Sequence, residues 1–239
     1  MLLEAFNLRR VFGGLVAVDG VSFSVGAGEI LGIVGANGSG KTTCLNMLTR
    51  LLPVSSGTMR LDGHDYGRLP THQIARLGIA RTFQNLRLFK DLTVRENVAL
   101  GAQSRHRDGE AALRHRVDEL LDLGEVRQHE DTLPASLPYG TQRVVEIARA
   151  LATEPRLVFL DEPFAGMSSS EARSICDLLL GVRKETGMAL VIVDHNVEVL
   201  TGIAERLLAL AEGKLVAEGS AEVVLSDPTV IQSYVGADE

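Results

Sequence analysis

Residues 30–43 read ILGIVGANGSGKTT, and the rest of the chain is organised around them. Ile30, Leu31, Ile33 and Val34 form a short, branched apolar run, the pattern of a buried strand. Residues 35–42 then fit the phosphate-loop spacing G-x-x-x-x-G-K-[ST]. Cys44, Leu45, Met47 and Leu48 follow at helical spacing, so the order is strand, glycine loop, helix. Gly35, Gly38 and Gly40 let the backbone take positive φ and come close to an anion. The amides of the loop, through Asn37 and Ser39, and of the helix start, at Lys41, Thr42 and Thr43, then point at phosphates. Lys41 can reach the β- and γ-phosphates of a nucleotide, and the Thr42 hydroxyl can ligate Mg²⁺.

Length and composition bound the rest. A chain of 239 residues, 45% hydrophobic and 23% charged, is that of a globular protein with a substantial core. No run of about 18 apolar residues offers a membrane span, and the N-terminus lacks the pattern of a signal peptide. Cys44 and Cys176 fall on expected helices at no metal spacing, which predicts reduced core thiols. The net charge of −7 and a pI near 5.4 argue against a nucleic-acid binder. Residues 76–116 run against that balance, with nine Lys and Arg facing four Asp and Glu. Such a basic segment suits an acidic partner, a membrane surface or a merely solvated face.

Along the chain, residues 2–8 and 21–25 read as strands separated by turns at Gly13-Gly14 and Asp19-Gly20. Phe12, in the first turn region, is placed either to stack on a purine ring or to fill the core. A strand over 58–61, a short helix over 73–77 and a strand over 79–83 follow. Gln84 stands at the last strand's end, where its amide could reach Mg²⁺ or its water. Residues 93–123 read as helical, opened by the capping box Thr93-Val-Arg-Glu96. Residues 137–143, LPYGTQR, start another helix whose buried face is Val144, Ile147, Ala148 and Leu151.

A second chemical signal comes at residues 157–162, LVFLDE, where four apolar residues end in paired carboxylates. Ligands in open α/β sheets bind at the carboxyl ends of strands. Asp161 is therefore placed to hold Mg²⁺, and Glu162 to orient or deprotonate a water. Ser168 and Glu171 form a further capping box. A strand over 188–193 ends just before His195, a plausible γ-phosphate contact beside such a site. Residues 206–210 and 214–217 predict a hairpin across Glu212-Gly213, and short helices close the chain.

In this order, Phe12, the glycine loop, Gln84, residues 137–143, residues 157–162 and His195 resemble the ATP-binding subunits of ABC transporters over essentially the whole length. Residues 12–18 (FGGLVAV), 81–89 (RTFQNLRLF) and 137–140 (LPYG), with Asp227-Pro228 and Tyr234-Val235-Gly236, further resemble the ATPases of branched-chain amino acid importers. Residues 194–197, DHNV, look equally like a lipopolysaccharide-export ATPase.

The resemblance implies an α/β P-loop NTPase fold with an N-terminal antiparallel β portion. It implies one ABC ATPase domain over 1–239, with the nucleotide-binding core in 1–86 and 138–239 and a helical subdomain in 87–137 that docks membrane subunits. It implies ATP and Mg²⁺ as ligands, with Phe12 stacking on adenine. Gln84 would link the metal site to the transmembrane interface. Pro138, Tyr139, Gly140, Thr141 and Gln142 would close over the ATP of a second ATPase subunit. The expected partners are transmembrane permease subunits, that second subunit and, indirectly, an extracytoplasmic binding protein, at the cytoplasmic face of the membrane.

Two departures from the resembling family stand out. Its signature usually has Ser, Gly and Gln where this chain has Pro138, Tyr139 and Thr141, and Pro138 offers neither hydroxyl nor N–H. Ser168 also replaces a more usual Asp or Asn. Both weaken what the chain offers its partner's ATP, and the altered signature favours a heterodimer over a homodimer, while Lys41, Thr42, Asp161, Glu162 and His195 are intact. A soluble ABC ATPase of a cytosolic assembly, such as iron–sulfur cluster building, is the reading of a different class, and an export-type ATPase is a third. DNA-repair ABC ATPases insert long heptad coils that this chain lacks. ABC translation factors carry two ATPase domains, whereas one P-loop is present here.

Overall fold

The structure, a computed structural model, describes residues 1–103 and 109–235. The chain starts with an antiparallel hairpin, β1 (Leu3–Phe12) and β2 (Leu15–Val25), turned at Gly13-Gly14. It continues through β3 (Ile30–Val34), α1 (Lys41–Leu48), β4 (Ser56–Leu61), β5 (His64–Asp65) and α2 (Thr71–Ile74) to β6 (Ile79–Arg81). Three helices follow: α3 (Val94–Gln103), α4 (Glu110–Leu123) and α5 (Tyr139–Leu151). Then come β7 (Leu157–Asp161), α6 (Ser169–Thr186), β8 (Ala189–Val193) and α7 (Val197–Ile203). The hairpin β9 (Arg206–Ala211) and β10 (Lys214–Gly219) precedes α8 (Ala221–Leu225) and α9 (Pro228–Val235).

The strands form two sheets. One is antiparallel, in the order β2-β1-β4-β5. The other runs β10-β9-β3-β8-β7-β6, parallel throughout except for β10 on its edge. The parallel strands β3, β7 and β8 are buried on both faces, which explains their uninterrupted apolar runs. Alternate residues feed two cores. Ile30, Val158, Leu160, Leu190 and Ile192 pack with α3 to α6 on one face. Leu31, Ile33, Leu157, Phe159 and Val191 pack on the other face with α1 and the antiparallel sheet. Each fully buried side chain of this size contributes about 1.5–3 kcal/mol.

Several boundaries differ from the sequence reading. The strand expected over 79–83 ends at Arg81, so Gln84 stands in the loop beyond it and not at the strand's end. The first strand runs to Phe12, and Asp19-Gly20 is no turn: β2 passes through it, with Gly20 at φ 74 and a slip in pairing register between Leu8–Val21 and Arg10–Val18. Glycine permits that local twist without ending the strand. The helical stretch over 93–123 is two helices, and residues 104–108 between them lie outside the described residues, as does Gly236 of the closing motif. Both expected capping boxes are formed. Thr93 and Glu96 exchange bonds of 2.8 and 3.2 Å, and Ser168 does the same with Glu171.

Candidate nucleotide site

The carboxyl ends of β3, β6, β7 and β8 lie along one sheet edge, and the sequence motifs sit on the loops that leave them. Between β3 and α1 the loop is held from below. A Cβ on Gly35 would lie 2.2 Å from the Leu210 carbonyl oxygen, and one on Gly40, at φ 100, would lie 2.6 Å from that of Ala17. Only glycine fits at either place. Gly40 caps α1 with no side-chain hydrogen bond, so the first helical N–H groups stay open. The Lys41 ammonium is buried and donates to the carbonyls of Gly35 (2.7 Å) and Ala36 (2.9 Å). Burial lowers its pKa, opposed by the charges of Glu162, Asp161 and Asp194. The buried Ser39 hydroxyl has no partner, while Asn37, Gly38 and Thr42 face outward.

At the end of β7, Asp161 is 2% exposed. Its Oδ1 accepts from the Thr42 hydroxyl at 3.4 Å, and its Oδ2 accepts from Arg81 Nη2 at 2.9 Å. Glu162 turns the chain at φ 47, a left-handed conformation rare for a side chain of this size. Its carboxylate accepts a hydrogen bond from the Gln84 side-chain amide at 3.0 Å. Thr42, Lys41, Gln84, Asp161 and Glu162, drawn from three separate stretches of sequence, thus meet at one edge.

The other candidates stand apart from that group. The His195 side chain is 59% exposed, and its Nδ1 lies 3.7 Å from Asp194 Oδ1. Asp194 itself is buried and accepts from the backbone amides of Phe164 and Asn196. Phe12 ends β1 with 40% of its surface exposed, and the Arg10 guanidinium stacks 4.5 Å from its ring centre. Pro138 caps α5. The Tyr139 hydroxyl accepts from Arg143 Nη2 at 2.8 Å, and Gln142 donates to the Leu137 carbonyl. Gly140 packs against the flexible Glu171 carboxylate, and Thr141 is half-buried beside it. Among the described residues no hydrogen bond joins Phe12, His195 or residues 137–142 to the Thr42–Asp161 group.

Sequence reasoning missed three participants. Arg81 grips Asp161. Buried Arg143 donates to the carbonyls of Phe83 (2.5 Å) and Gln84 (2.6 Å) and pairs with Glu146 at 2.7 Å. The Tyr234 hydroxyl accepts from the Gly35 amide at 2.8 Å. A basic residue closing an apolar strand, as Arg81 does, was the available signal for the first.

The site fits a magnesium nucleotide. Open helix amides, an unpartnered buried hydroxyl and a buried ammonium suit phosphate oxygens. Among the described residues no three His, Cys, Asp or Glu side chains gather into a metal cage. A lone hydroxyl and carboxylate are instead the hard, sparse donor set that Mg²⁺ uses together with phosphates and waters.

Known proteins resemble this chain over nearly its whole length. A family model described as ABC transporter matches residues 18–165. The branched-chain amino acid transport ATP-binding protein BraF of Pseudomonas aeruginosa is 36% identical, with 98% of each chain covered. The lipopolysaccharide export ATP-binding protein LptB of Escherichia coli is 35% identical, covering 99% of this chain and 98% of LptB. Among solved structures, the ADP conformation of MJ1267, an ATP-binding cassette of an ABC transporter, superposes with a TM-score of 0.87 at 30% identity over 98% of both chains. A dimeric post-hydrolysis state of the cassette MJ0796, bound to ADP and Pi, gives 0.82 at 28% identity, over 92% of this chain and 98% of that one. No helix among the described residues is long and apolar enough to cross a membrane. The chain belongs to the ABC transporter family, as an ATP-binding subunit that hydrolyses ATP in a cycle coupled to transport.

Proposed function

We propose that the chain powers an importer of branched-chain or related amino acids, working peripherally at the cytoplasmic face of the membrane. The relatives named for branched-chain amino acid transport, BraF and the LivG of Salmonella typhimurium, support this solute at 36% and 34% identity over nearly the whole chain. The nearly equal identity of LptB favours a second reading, export of a lipid-linked substrate. Loss of radiolabelled leucine uptake on deletion of the gene, restored by the intact chain, is the expected result. Unchanged uptake would overturn the solute assignment.

The observation that carries the mechanism is the meeting of Thr42, Asp161, Glu162 and Gln84 at one sheet edge. In this reading the loop from Gly35 to Gly40, with Asn37 and Ser39, and the start of α1 at Lys41, Thr42 and Thr43 wrap the phosphates, and Phe12 stacks on adenine. Thr42 and Asp161 would hold Mg²⁺, with the Gln84 amide close by; when bound, the ion would supply charge neutralisation to the phosphates. Glu162, steadied by the Gln84 amide, takes the proton of the attacking water as general base. Lys41 and the loop amides stabilise the charge that develops on the γ-phosphate, and His195 contacts that phosphate from the end of β8.

A second ATPase subunit completes each site through residues 137–142. Pro138 and Tyr139 cannot supply the usual hydroxyl and small residue, so this reading makes the second subunit a paralogue. The helical block of 87–137 docks the permease subunits, and an extracytoplasmic binding protein delivers solute to them. Motion reaches the permease through Gln84, whose backbone carbonyl Arg143 holds from α5.

A further inference from the structure

Arg81 is the last residue of β6, and its guanidinium is 8% exposed. Every nitrogen of that fork is engaged. Nη2 donates to Asp161 Oδ2 at 2.9 Å, and Nη1 donates to Asn46 Oδ1 at 2.6 Å and Thr49 Oγ1 at 2.8 Å. Nε donates to the Thr82 carbonyl at 3.2 Å. Asn46 belongs to α1 and Thr49 caps its C-terminus, so one side chain ties the phosphate-loop helix to the carboxylate ending β7. Asp161 is left with a single oxygen, Oδ1, directed at the Thr42 hydroxyl.

We propose that Arg81 is a positioning residue for the metal carboxylate: it occupies Asp161 Oδ2, fixes the plane of the carboxylate, and restricts Asp161 to one-oxygen contact with a divalent cation. This rests on the reading that Asp161 holds the metal. Two physical consequences follow. The planar fork, anchored on α1, sets the carboxylate's rotation in a way a lysine point charge does not. Its fixed positive charge also opposes the cation, keeping the metal exchangeable from one nucleotide to the next.

The test uses the full chain and Mn²⁺ as the probe, titrated by electron paramagnetic resonance with a non-hydrolysable ATP analogue, beside steady-state turnover with Mg·ATP. Arg81→Met should bind Mn²⁺ roughly tenfold more tightly, because a unit positive charge beside a divalent cation has been withdrawn. Its kcat should nevertheless fall about 10²-fold, because the carboxylate is no longer held in register. Arg81→Lys keeps the charge and loses the fork: Mn²⁺ affinity should stay within about twofold of the parent while kcat falls. That variant carries the test if the methionine variant does not fold.

Asp161→Asn separates the proposal from its premise. It should weaken nucleotide-dependent Mn²⁺ binding; undiminished binding would remove Asp161 as the metal ligand and the proposal with it. If Asp161→Asn weakens binding but folded Arg81→Lys keeps the parent's kcat, or folded Arg81→Met keeps its Mn²⁺ affinity, the premise stands and Arg81 is a structural ion pair only.

Discussion

The Gln84 side-chain amide donates to the Glu162 carboxylate across 3.0 Å, although 78 residues separate them. β6 and β7 are paired in parallel, which brings their carboxyl ends together. Glu162 is also held at φ 47, a conformation that costs a non-glycine residue about 1–2 kcal/mol. Positive φ with a hydrogen bond does not by itself single out Glu162, since Asp62 combines φ 49 with bonds from Arg156; the role proposed for Glu162 rests on its place between Asp161 and the Gln84 amide.

Two substitutions exploit this. Glu162→Gln keeps the shape and the contact with Gln84 but removes the base. It should bind ATP as the parent does and lose turnover by about 10²–10⁴-fold. Glu162→Gly removes the strain as well. It should melt at or above the parent's temperature, gaining about 1 kcal/mol, while also losing turnover. Nucleotide binding by calorimetry, phosphate release and thermal melts read the three quantities; appreciable turnover in either variant would remove Glu162 as the base.

Most of this site could be read before any coordinates. Strand, glycine loop and helix leave a fixed spacing, and a buried strand ending in Asp161-Glu162 has few other uses. The buried Arg81–Asp161 pair was not legible, because a lone arginine in sequence carries no record of a partner 80 residues away. Arg143 and Glu146 stand at helical spacing on α5, so their pairing was legible, but not its burial against the Phe83 and Gln84 carbonyls. Asp19-Gly20 misled for a local reason: that dipeptide favours turns, yet pairing with β1 carries β2 straight through it. Phe12 was placed at the first turn, but nothing local in the sequence distinguishes a half-exposed strand end from a core aromatic.

The two cysteines make a simple probe of the core. Burial alone pushes the Cys44 thiol up to about 12, and burial with the charge of Asp177 pushes Cys176 up to about 11. The thiolate is the reactive form, so neither residue should label in the native protein at pH 8. Ellman's reagent should report no fast-reacting thiol, then two once the chain is unfolded in denaturant. A native thiol reacting in seconds would contradict the packing around α1 or α6.

Acid stability tests the joint between the two sheets. Glu29 accepts from the Gly26 amide at 2.6 Å and from Arg206 Nε at 2.8 Å, and Arg206 also holds the Ser24 carbonyl. Burial would raise the Glu29 pKa, but the hydrogen bonds from Arg206 and Gly26 and the Arg206 charge outweigh it and leave the group below its ordinary 4.5. A lowered carboxylate stabilises the fold above its unfolded value, and that stability is lost as pH falls through the folded one. The gap in stability between the parent and Glu29→Gln should therefore be constant above pH 4.5 and close below it. Urea titrations across this range measure it, and a gap that widens on acidification would reverse the sign.

Arg143 presents the sharpest contrast between losing one partner and losing both. Its side chain is 1% exposed and that of Glu146 is 2% exposed. The guanidinium satisfies the carbonyls of Phe83 and Gln84, and Glu146 also accepts from the Arg87 amide at 3.0 Å. Burial raises the Glu146 pKa, against the lowering influence of the Arg143 charge and these hydrogen bonds. Arg143→Met alone would strand a buried carboxylate and two carbonyls, at a cost of about 3–5 kcal/mol. Adding Glu146→Leu removes the stranded charge but leaves the Phe83 and Gln84 carbonyls and the Arg87 amide unpaired, so the double variant should recover only part of that loss in urea denaturation. Stability and hydrolysis should then part: without Arg143 the Gln84 backbone is no longer anchored to α5, so the double variant should be more stable than Arg143→Met yet turn over ATP no faster. Turnover equal to the parent's in the refolded double variant would show that the pair serves stability alone.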